Sequence, residues 1–351
     1  MSPAVQYKAP TVKHISCSGT PYEIGQQHGS QACDEVLGSI EFYKDFFMKR
    51  IKIDWVEAEA IATKFLPFLQ SNYPEYVDEM QGIADGAGVR LPDIVLLNVR
   101  TEIAYGMMSD GCTAFAWKTP ESSFIAQNWD WSAEQIPNIV CARIEQPGKP
   151  IIEMMTEGGI LGKIGLNSAG VGVTLNAIQA KGVDYQKLPC HLALRTVLNS
   201  QSRQEAEKKL RSPGVASSCH IQIADKDTGA VGFECTAEDI VEMQMNERGF
   251  TTHSNHLVRQ HKVPGKIWLL DSPDRLDRID VLLGEVEKPS VEVLAELLKD
   301  EHKAPCSINR SQTEKSTVQT LFSIVMNLTK GFARVKMGRP TEQGEMLELK
   351  P

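Results

Sequence analysis

The sequence predicts an α+β layered fold with two sheets, and three observations lead there. Roughly the first hundred residues carry helical periodicity. After Cys112 the texture turns to short runs rich in apolar and β-branched residues. Those runs return in hairpins, in blocks that alternate with helical blocks, rather than as single strand-helix-strand units.

The helical reading extends from Ser30 to about Tyr105. Val36, Ile40, Tyr43 and Phe47 recur at spacings of three and four, which lines one helix face. "DWVE", Asp54 to Glu57, offers the acceptor and returning acid of a capping box. Pro74 and Pro92 stand in the first turns of "YPEYVDEMQGIADGAG" and "LPDIVLLNVRTEIAYG", where a missing N–H costs nothing. Beyond Cys112, "CTAFAWKT", "SFIAQNWDW", "NIVCARIEQ", "PIIEMMTEGG" and "GVGVTLNAI" read as consecutive antiparallel strands separated by Pro, Gly, Asn and Ser. A helix is expected over His191 to Leu210. Strands then resume in "HIQIADKDTGAVGFECT", turning at Asp227-Thr228-Gly229, and continue to "FTTHSN". "SPDRLDRIDVLLGEV" and "SVEVLAELLKD" read as helices, and "LFSIVMNLTKGFARVKM" as a last strand pair. No internal repeat, low-complexity segment or long linker interrupts the chain.

Composition narrows the function. At 351 residues, 42% hydrophobic and 23% charged, the chain is globular and long enough for a substantial core. A formal net charge of -8, with no segment concentrating Lys and Arg, argues against nucleic acid as partner. No run approaches the roughly 20 apolar residues of a membrane span, and the first residues lack the apolar core of an export signal. The expected setting is cytoplasmic, without a membrane partner. Eight cysteines without paired spacing then read as free thiols, most of them small core residues.

Cys112 could be core filler, a metal ligand or a nucleophile. A thiol attacks as thiolate and needs a base. Were the peptide between Gly111 and Cys112 cut, the new α-amino group, with an ordinary pKa near 8, would lie within reach of the sulfur. Gly111 suits such a cut, since a residue without Cβ permits the strained approach of the thiol to its own preceding carbonyl. The trio His253, His256 and His261 lacks a recognisable metal spacing, so no metal is expected; packing and hydrogen bonds around Asn255 fit it better. "GILGKIG" and "GVGV" read as strand turns and not as a dinucleotide fingerprint, and no cofactor is expected. Arg275 and Arg278, in "DSPDRLDR", suit an ion-paired helix face or a contact to an anionic substrate group.

"DGCT", "AQNWDW", "TEGGILGKIGLNSAGVGVTLNA" and "THSNH" together resemble the isopenicillin N acyltransferase family, also called the acyl-CoA:6-aminopenicillanic acid acyltransferase family, within the N-terminal nucleophile hydrolase superfamily. The likeness runs from "CSGTPYEIGQQHG" to "KMGRPTEQGEM", nearly the whole chain. It implies a four-layer αββα sandwich, made as a precursor and cut before Cys112 into a mainly helical α-subunit, residues 1–111, and a β-subunit, residues 112–351, within one structural domain. It also implies an acyl-enzyme thioester, a small-molecule acyl donor such as acyl-CoA, and an amine acceptor, with water as the alternative acceptor; an uncut binding scaffold is the contrasting class.

Residue by residue, Cys112 matches the nucleophile and Gly111 the residue released. Asp130 matches the carboxylate near the new amino terminus, and Asn255 the side-chain amide of the oxyanion hole. Ser218 matches a pocket serine beside Ser217, and Asn176 the same polar wall. Arg275 joins the pocket as the anion-contact reading of its helix. Two departures stand out. Penicillin-forming members carry Ser-Arg where this chain has Ser316-Thr317, which marks Thr317 as a pocket position that differs. The terminal "MLELKP" is not the small-basic-Leu tripeptide of a peroxisomal address.

Overall fold

A computed structural model describes residues 11–104, 111–314 and 316–351. Strand β1 (Lys13–Ser18) opens the described chain. Seven helices follow: α1 (Pro21–Gln31), α2 (Cys33–Arg50), α3 (Trp55–Ala62), α4 (Leu66–Asn72), α5 (Pro74–Ala87), α6 (Leu91–Asn98) and α7 (Arg100–Ile103). The Asp54 capping box forms as its spacing predicts: Asp54 Oδ1 accepts the Glu57 N–H at 2.8 Å and the Glu57 carboxylate accepts the Asp54 N–H at 2.9 Å. Pro74 and Pro92 open their helices. The expected end of the last helical stretch, at Tyr105 and Gly106, lies outside the described residues.

The β-rich part begins with β2 (Thr113–Lys118), β3 (Ser123–Ser132), β4 (Ile139–Glu145), β5 (Ile152–Glu157), β6 (Ile164–Asn167) and β7 (Val171–Ala177). Helices α8 (Cys190–Leu198) and α9 (Arg203–Arg211) precede β8 (Cys219–Asp225), β9 (Gly229–Cys235), β10 (Ile240–Gln244) and β11 (Phe250–His253). Helices α10 (Ser272–Glu285) and α11 (Val291–Leu297) lead to β12 (Val318–Asn327), β13 (Phe332–Met337) and β14 (Met346–Leu349). An eight-stranded sheet has the order β1-β4-β5-β6-β7-β8-β9-β10, and a six-stranded sheet the order β11-β2-β3-β12-β13-β14.

The sheets stack face to face, with Gln127 of β3 meeting the Leu175 backbone of β7. Helices α1–α9 cover the outer face of the larger sheet, and α10 and α11 that of the smaller. That gives four layers, α/β/β/α. Side chains in β2 and β3 alternate accordingly. Phe115, Trp117, Phe124 and Ala126 pack against Ile279, Leu283 and Leu294 of α10 and α11. Cys112, Ala116, Ile125, Trp129 and Trp131 turn into the main core.

The structure corrects several local expectations. The mainly helical leader also carries a strand that the pattern reading does not place: β1 pairs parallel with β4, Lys13 opposite Val140. The single helix over His191 to Leu210 is two: α8 ends at Leu198 with Asn199 as its cap, and Ser202 starts the next, its Oγ accepting the Glu205 N–H at 3.2 Å. The short strands β6 and β14 escaped the pattern reading. The hairpin turn is where Gly229, at φ 78, allows it.

A buried ion cluster ties the leader helices to the later strands. Glu157 receives Arg100 at 2.7 Å, the Tyr43 hydroxyl at 2.5 Å, Gln135 at 2.9 Å and Lys163. Burial opposes its ionisation, but Arg100 and Lys163 hold its carboxyl well below the usual range. Lys163 also lies 3.6 Å from the centroid of the Trp129 ring on β3.

Candidate active site

Cys112 immediately precedes β2, fully buried, at the end of the smaller sheet where β3 finishes in "NWDWS". Register and alternation place its neighbours. Thr113 pairs with Asn128, so the chain just before it runs alongside Trp129 and Asp130. The Cys112 side chain joins Trp129 in the inter-sheet core, whereas Gly111 and Asp130 share the opposite face.

On the amine side of Cys112 the surroundings are charged. A Cβ on Gly111 would lie 2.3 Å from Arg310 Nε and 3.0 Å from Asp130 Oδ2, so only glycine fits without displacing them. Asp130 is fully buried. Its Oδ1 accepts the Thr320 hydroxyl at 2.7 Å, and its Oδ2 lies 3.5 Å from Arg310 Nε. Thr320 stands opposite Asp130 in the β3–β12 pairing, and its Oγ1 accepts the Arg310 N–H at 3.0 Å. A carboxylate so placed would hold an α-ammonium created at residue 112.

On the carbonyl side the partners are amides and one arginine. Arg275 Nη1 donates to the Cys112 carbonyl oxygen at 2.7 Å and to Thr113 Oγ1 at 3.0 Å. Asn176, the next-to-last residue of β7 and fully buried, donates to the same carbonyl at 3.2 Å. Arg275 Nη2 donates to Asn255 Oδ1 at 2.8 Å, which fixes which way that amide faces. Asn255 Nδ2 in turn donates one of its two N–H groups to the Ala177 carbonyl at 3.0 Å. The Asn255 backbone N–H is held by Ser272 Oγ at 2.7 Å, and His256 Nδ1 lies 2.8 Å from that hydroxyl. His256 thus supports the Asn255 loop, as the sequence reading expected.

Asp271 joins the two sides. Its Oδ2 accepts Arg275 Nε at 2.8 Å and also pairs with Arg310. Neither Asp271 nor Arg310 carried a sequence signal: each sits in a loop, and only tertiary packing brings them to Cys112.

Other anticipated residues fall around this centre. Arg275 is not on a solvated helix face; it is 2% exposed and anchors the Cys112 backbone. Arg278 is the ion-paired one, to Asp300 at 2.7 Å. Ser218 Oγ donates to the Ile178 carbonyl at 2.8 Å and accepts the Ala180 N–H at 3.1 Å, so it shapes the segment after β7. Ser217 turns the other way, to Glu102 at 2.8 Å. Thr317 is exposed and shares a hydrogen bond of 2.8 Å with Ser132. Both line a cavity of about 260 Å³ with Phe42, Phe46, Arg50 and Trp131, just past Asp130 on β3. Among the described residues no group of three or more His, Cys, Asp or Glu is arranged to hold a metal. No helix among them is long and apolar enough to cross a membrane.

A four-layer αββα chain with a cysteine opening a central strand, faced by a carboxylate on one side and a side-chain amide on the other, has the layout of the N-terminal nucleophile hydrolases. Residues 117–342 match the family described as acyl-coenzyme A:6-aminopenicillanic acid acyl-transferase. The chain is also 38% identical over 338 residues to the 40 kDa form of an acyl-coenzyme A:6-aminopenicillanic-acid-acyltransferase from Emericella nidulans, covering 95% of this chain and 94% of that one. The chain belongs to this acyltransferase family, and is an enzyme acting on amide or thioester bonds.

Looser likenesses are to solved structures. A variant of the conjugated bile acid hydrolase from Clostridium perfringens is 15% identical, with a TM-score of 0.48, over 68% of this chain and 92% of that one. The penicillin V acylase from Agrobacterium tumefaciens is 12% identical at a TM-score of 0.47, over 68% and 86%. An N-acylethanolamine-hydrolyzing acid amidase ortholog from Caenorhabditis elegans is 18% identical at 0.46, over 62% and 93%.

Proposed function

We propose that the chain is a self-processing cysteine N-acyltransferase. The observation that carries this is the two-sided setting of Cys112: a buried carboxylate and arginine against Gly111, and an oriented amide with two further donors on the carbonyl side.

In processing, the Cys112 sulfur attacks the Gly111 carbonyl carbon, and the C–N bond breaks to give a thioester. Water then releases Gly111 as a carboxylate and leaves a free α-amine and thiol on Cys112. The products are residues 1–111 and 112–351, which remain together as an α/β pair.

In turnover the α-amine takes the thiol proton. The thiolate attacks the acyl carbon of a small-molecule thioester, such as an acyl-CoA, or of an amide. Asn255 donates to the oxyanion, a contact worth about 3 kcal/mol in comparable sites. The leaving thiol or amine takes the proton back, and a Cys112 thioester results. An amine acceptor then attacks that carbonyl, its N–C bond forms as the S–C bond breaks, and an amide leaves. Asp130 steadies the α-ammonium through both stages. The apolar wall of Phe42, Phe46 and Trp131 suits an acyl or side-chain group, with Thr317 and Arg50 at its polar edge.

Intact-mass measurement of purified protein tests the first half: two fragments meeting at Gly111 and Cys112 are expected, and neither in Cys112→Ala. A full-length species stable for days defeats self-processing. Incubating the cut enzyme with acyl-CoA and a panel of amines tests the second half. New amide is the expected product; free acid alone across the panel would make water the acceptor and the chain a hydrolase.

A further inference from the structure

Behind the site lies a line of titratable groups that this chemistry does not use. Glu234, buried in β9, accepts the Arg259 N–H at 2.9 Å and the Val258 N–H at 2.6 Å. Its two oxygens also meet His253 Nε2 at 2.8 Å and His261 Nε2 at 3.1 Å. The other nitrogen of His253 faces the Ser254 carbonyl at 2.8 Å. A carbonyl and a carboxylate both accept, so His253 supplies an N–H at each nitrogen and is an imidazolium. His261 stands likewise between Glu234 and Asp239, the latter at 2.7 Å.

The charge on His253 has a neighbour. His220 of β8 stacks on it, ring centroids 3.8 Å apart and planes 11° from parallel. His220 Nδ1 lies 3.1 Å from Asn176 Oδ1. The Asn176 nitrogen is committed as donor to the Cys112 carbonyl and, at 3.4 Å, to the His253 carbonyl. Its oxygen therefore accepts, and His220 carries its proton on Nδ1. His220 Nε2, with no hydrogen-bond partner among the described residues, is pressed against Gly232, where a Cβ would lie 2.5 Å away. A second imidazolium there would face the first at stacking distance, so His220 stays neutral. Burial and the His253 charge push its pKa well below the usual value. Burial opposes ionisation of Glu234, yet His253 and the backbone donors hold its carboxyl down at about 2. On the far side, burial and His253 also push His256 below its usual value, with Arg275 adding to the effect.

We propose that Glu234 and His253 are positioning residues of the acyl-transfer site: their fixed carboxylate–imidazolium pair locks His220 in one tautomer, and His220 locks the Asn176 amide onto the Cys112 carbonyl. The same pair holds the end of β11, two residues before Asn255. This rests on the reading of Cys112 as nucleophile.

Glu234→Gln keeps the shape and removes the charge. Histidine ¹⁵N spectra come first. At the pH of the turnover assay both ring nitrogens of wild-type His253 carry an N–H, each facing an acceptor. In Glu234→Gln, with the carboxylate gone, one ring nitrogen loses its N–H. In turnover, the variant's kcat falls about tenfold with KM unchanged. A wild-type His253 with an N–H on only one ring nitrogen overturns the proposal, and so does an unchanged kcat in the variant. The spectra need no substrate, so a wild-type enzyme that processes or turns over nothing counts against the acyl-transfer reading while the imidazole signals still decide this one. They also decide it if Glu234→Gln does not fold.

Discussion

The two sides of Cys112 are built from different materials. Ahead of it, Gly111 rests against Asp130 and Arg310, full charges that a newly made amine can answer. Behind it, the carbonyl is gripped by Asn176 and Arg275, and Arg275 has already turned the Asn255 amide. Charge on the amine side suits a group whose own charge changes on cleavage. Preset amide dipoles and one fixed guanidinium beside the carbonyl suit an oxyanion that appears only in passing. Asp271 touches the arginine of each side, so one carboxylate aligns the two halves.

Substitutions on one side at a time show how separable the halves are. Arg275→Met has the largest expected effect, because it removes one partner from a buried ionic network and frees the Asn255 amide. A stability loss of about 3–5 kcal/mol is expected in denaturant unfolding, together with loss of turnover. An unchanged unfolding midpoint would mean that Arg275 does not anchor the carbonyl side. Asn255→Ala leaves the packing largely in place and lowers kcat by about 10²–10³, with little change in KM; steady-state kinetics showing a KM effect alone would move Asn255 out of the oxyanion role.

Gly111→Ala acts on the amine side and only before the cut. Its Cβ collides with Arg310, so cleavage followed by mass over time is expected to slow by about tenfold or more, while kcat per cut molecule stays at the wild-type value, since Gly111 has left the β-subunit's terminus. Equal cleavage rates would remove the steric argument. Thr317→Val has the smallest effect. It breaks an exposed hydroxyl pair with Ser132, which costs under about 1 kcal/mol and is expected to change donor KM by a few-fold at most. A large drop in kcat would bring Thr317 to the reacting atoms.

Much of this was legible in the sequence because it is local. The Asp54 box, the two proline starts, the period-two strands and the Gly229 turn each depend on residues within a few positions of one another. "GCT", "NWD" and "SNH" also stand out, and the structure gathers Gly111, Asp130 and Asn255 around Cys112. What escaped is long-range. Arg310 and Thr320 reach Asp130 only because β12 lies beside β3, a pairing of strands nearly two hundred residues apart that no periodicity encodes. Arg275 misled in the opposite sense. Beside three aspartates in a helical run it looks solvated, but the first turn of α10 points it inward, to the Cys112 carbonyl, Thr113, Asn255 and Asp271. Strand β1 was missed since its partner β4 supplies the context that six residues lack.

That strand would give the proposed cut a particular outcome. Residues 13–18 form the rim of the eight-stranded sheet, hydrogen-bonded in parallel to β4 on the far side of the proposed cleavage point, and Tyr43 and Arg100 reach across it to Glu157. Breaking one peptide bond before Cys112 undoes none of these. The severed pieces should migrate as one particle on a sizing column and come apart only in denaturant. What is lost is the way back: once unfolded, two chains must find each other again, so the mature enzyme's capacity to refold would fall with dilution while the precursor's would not.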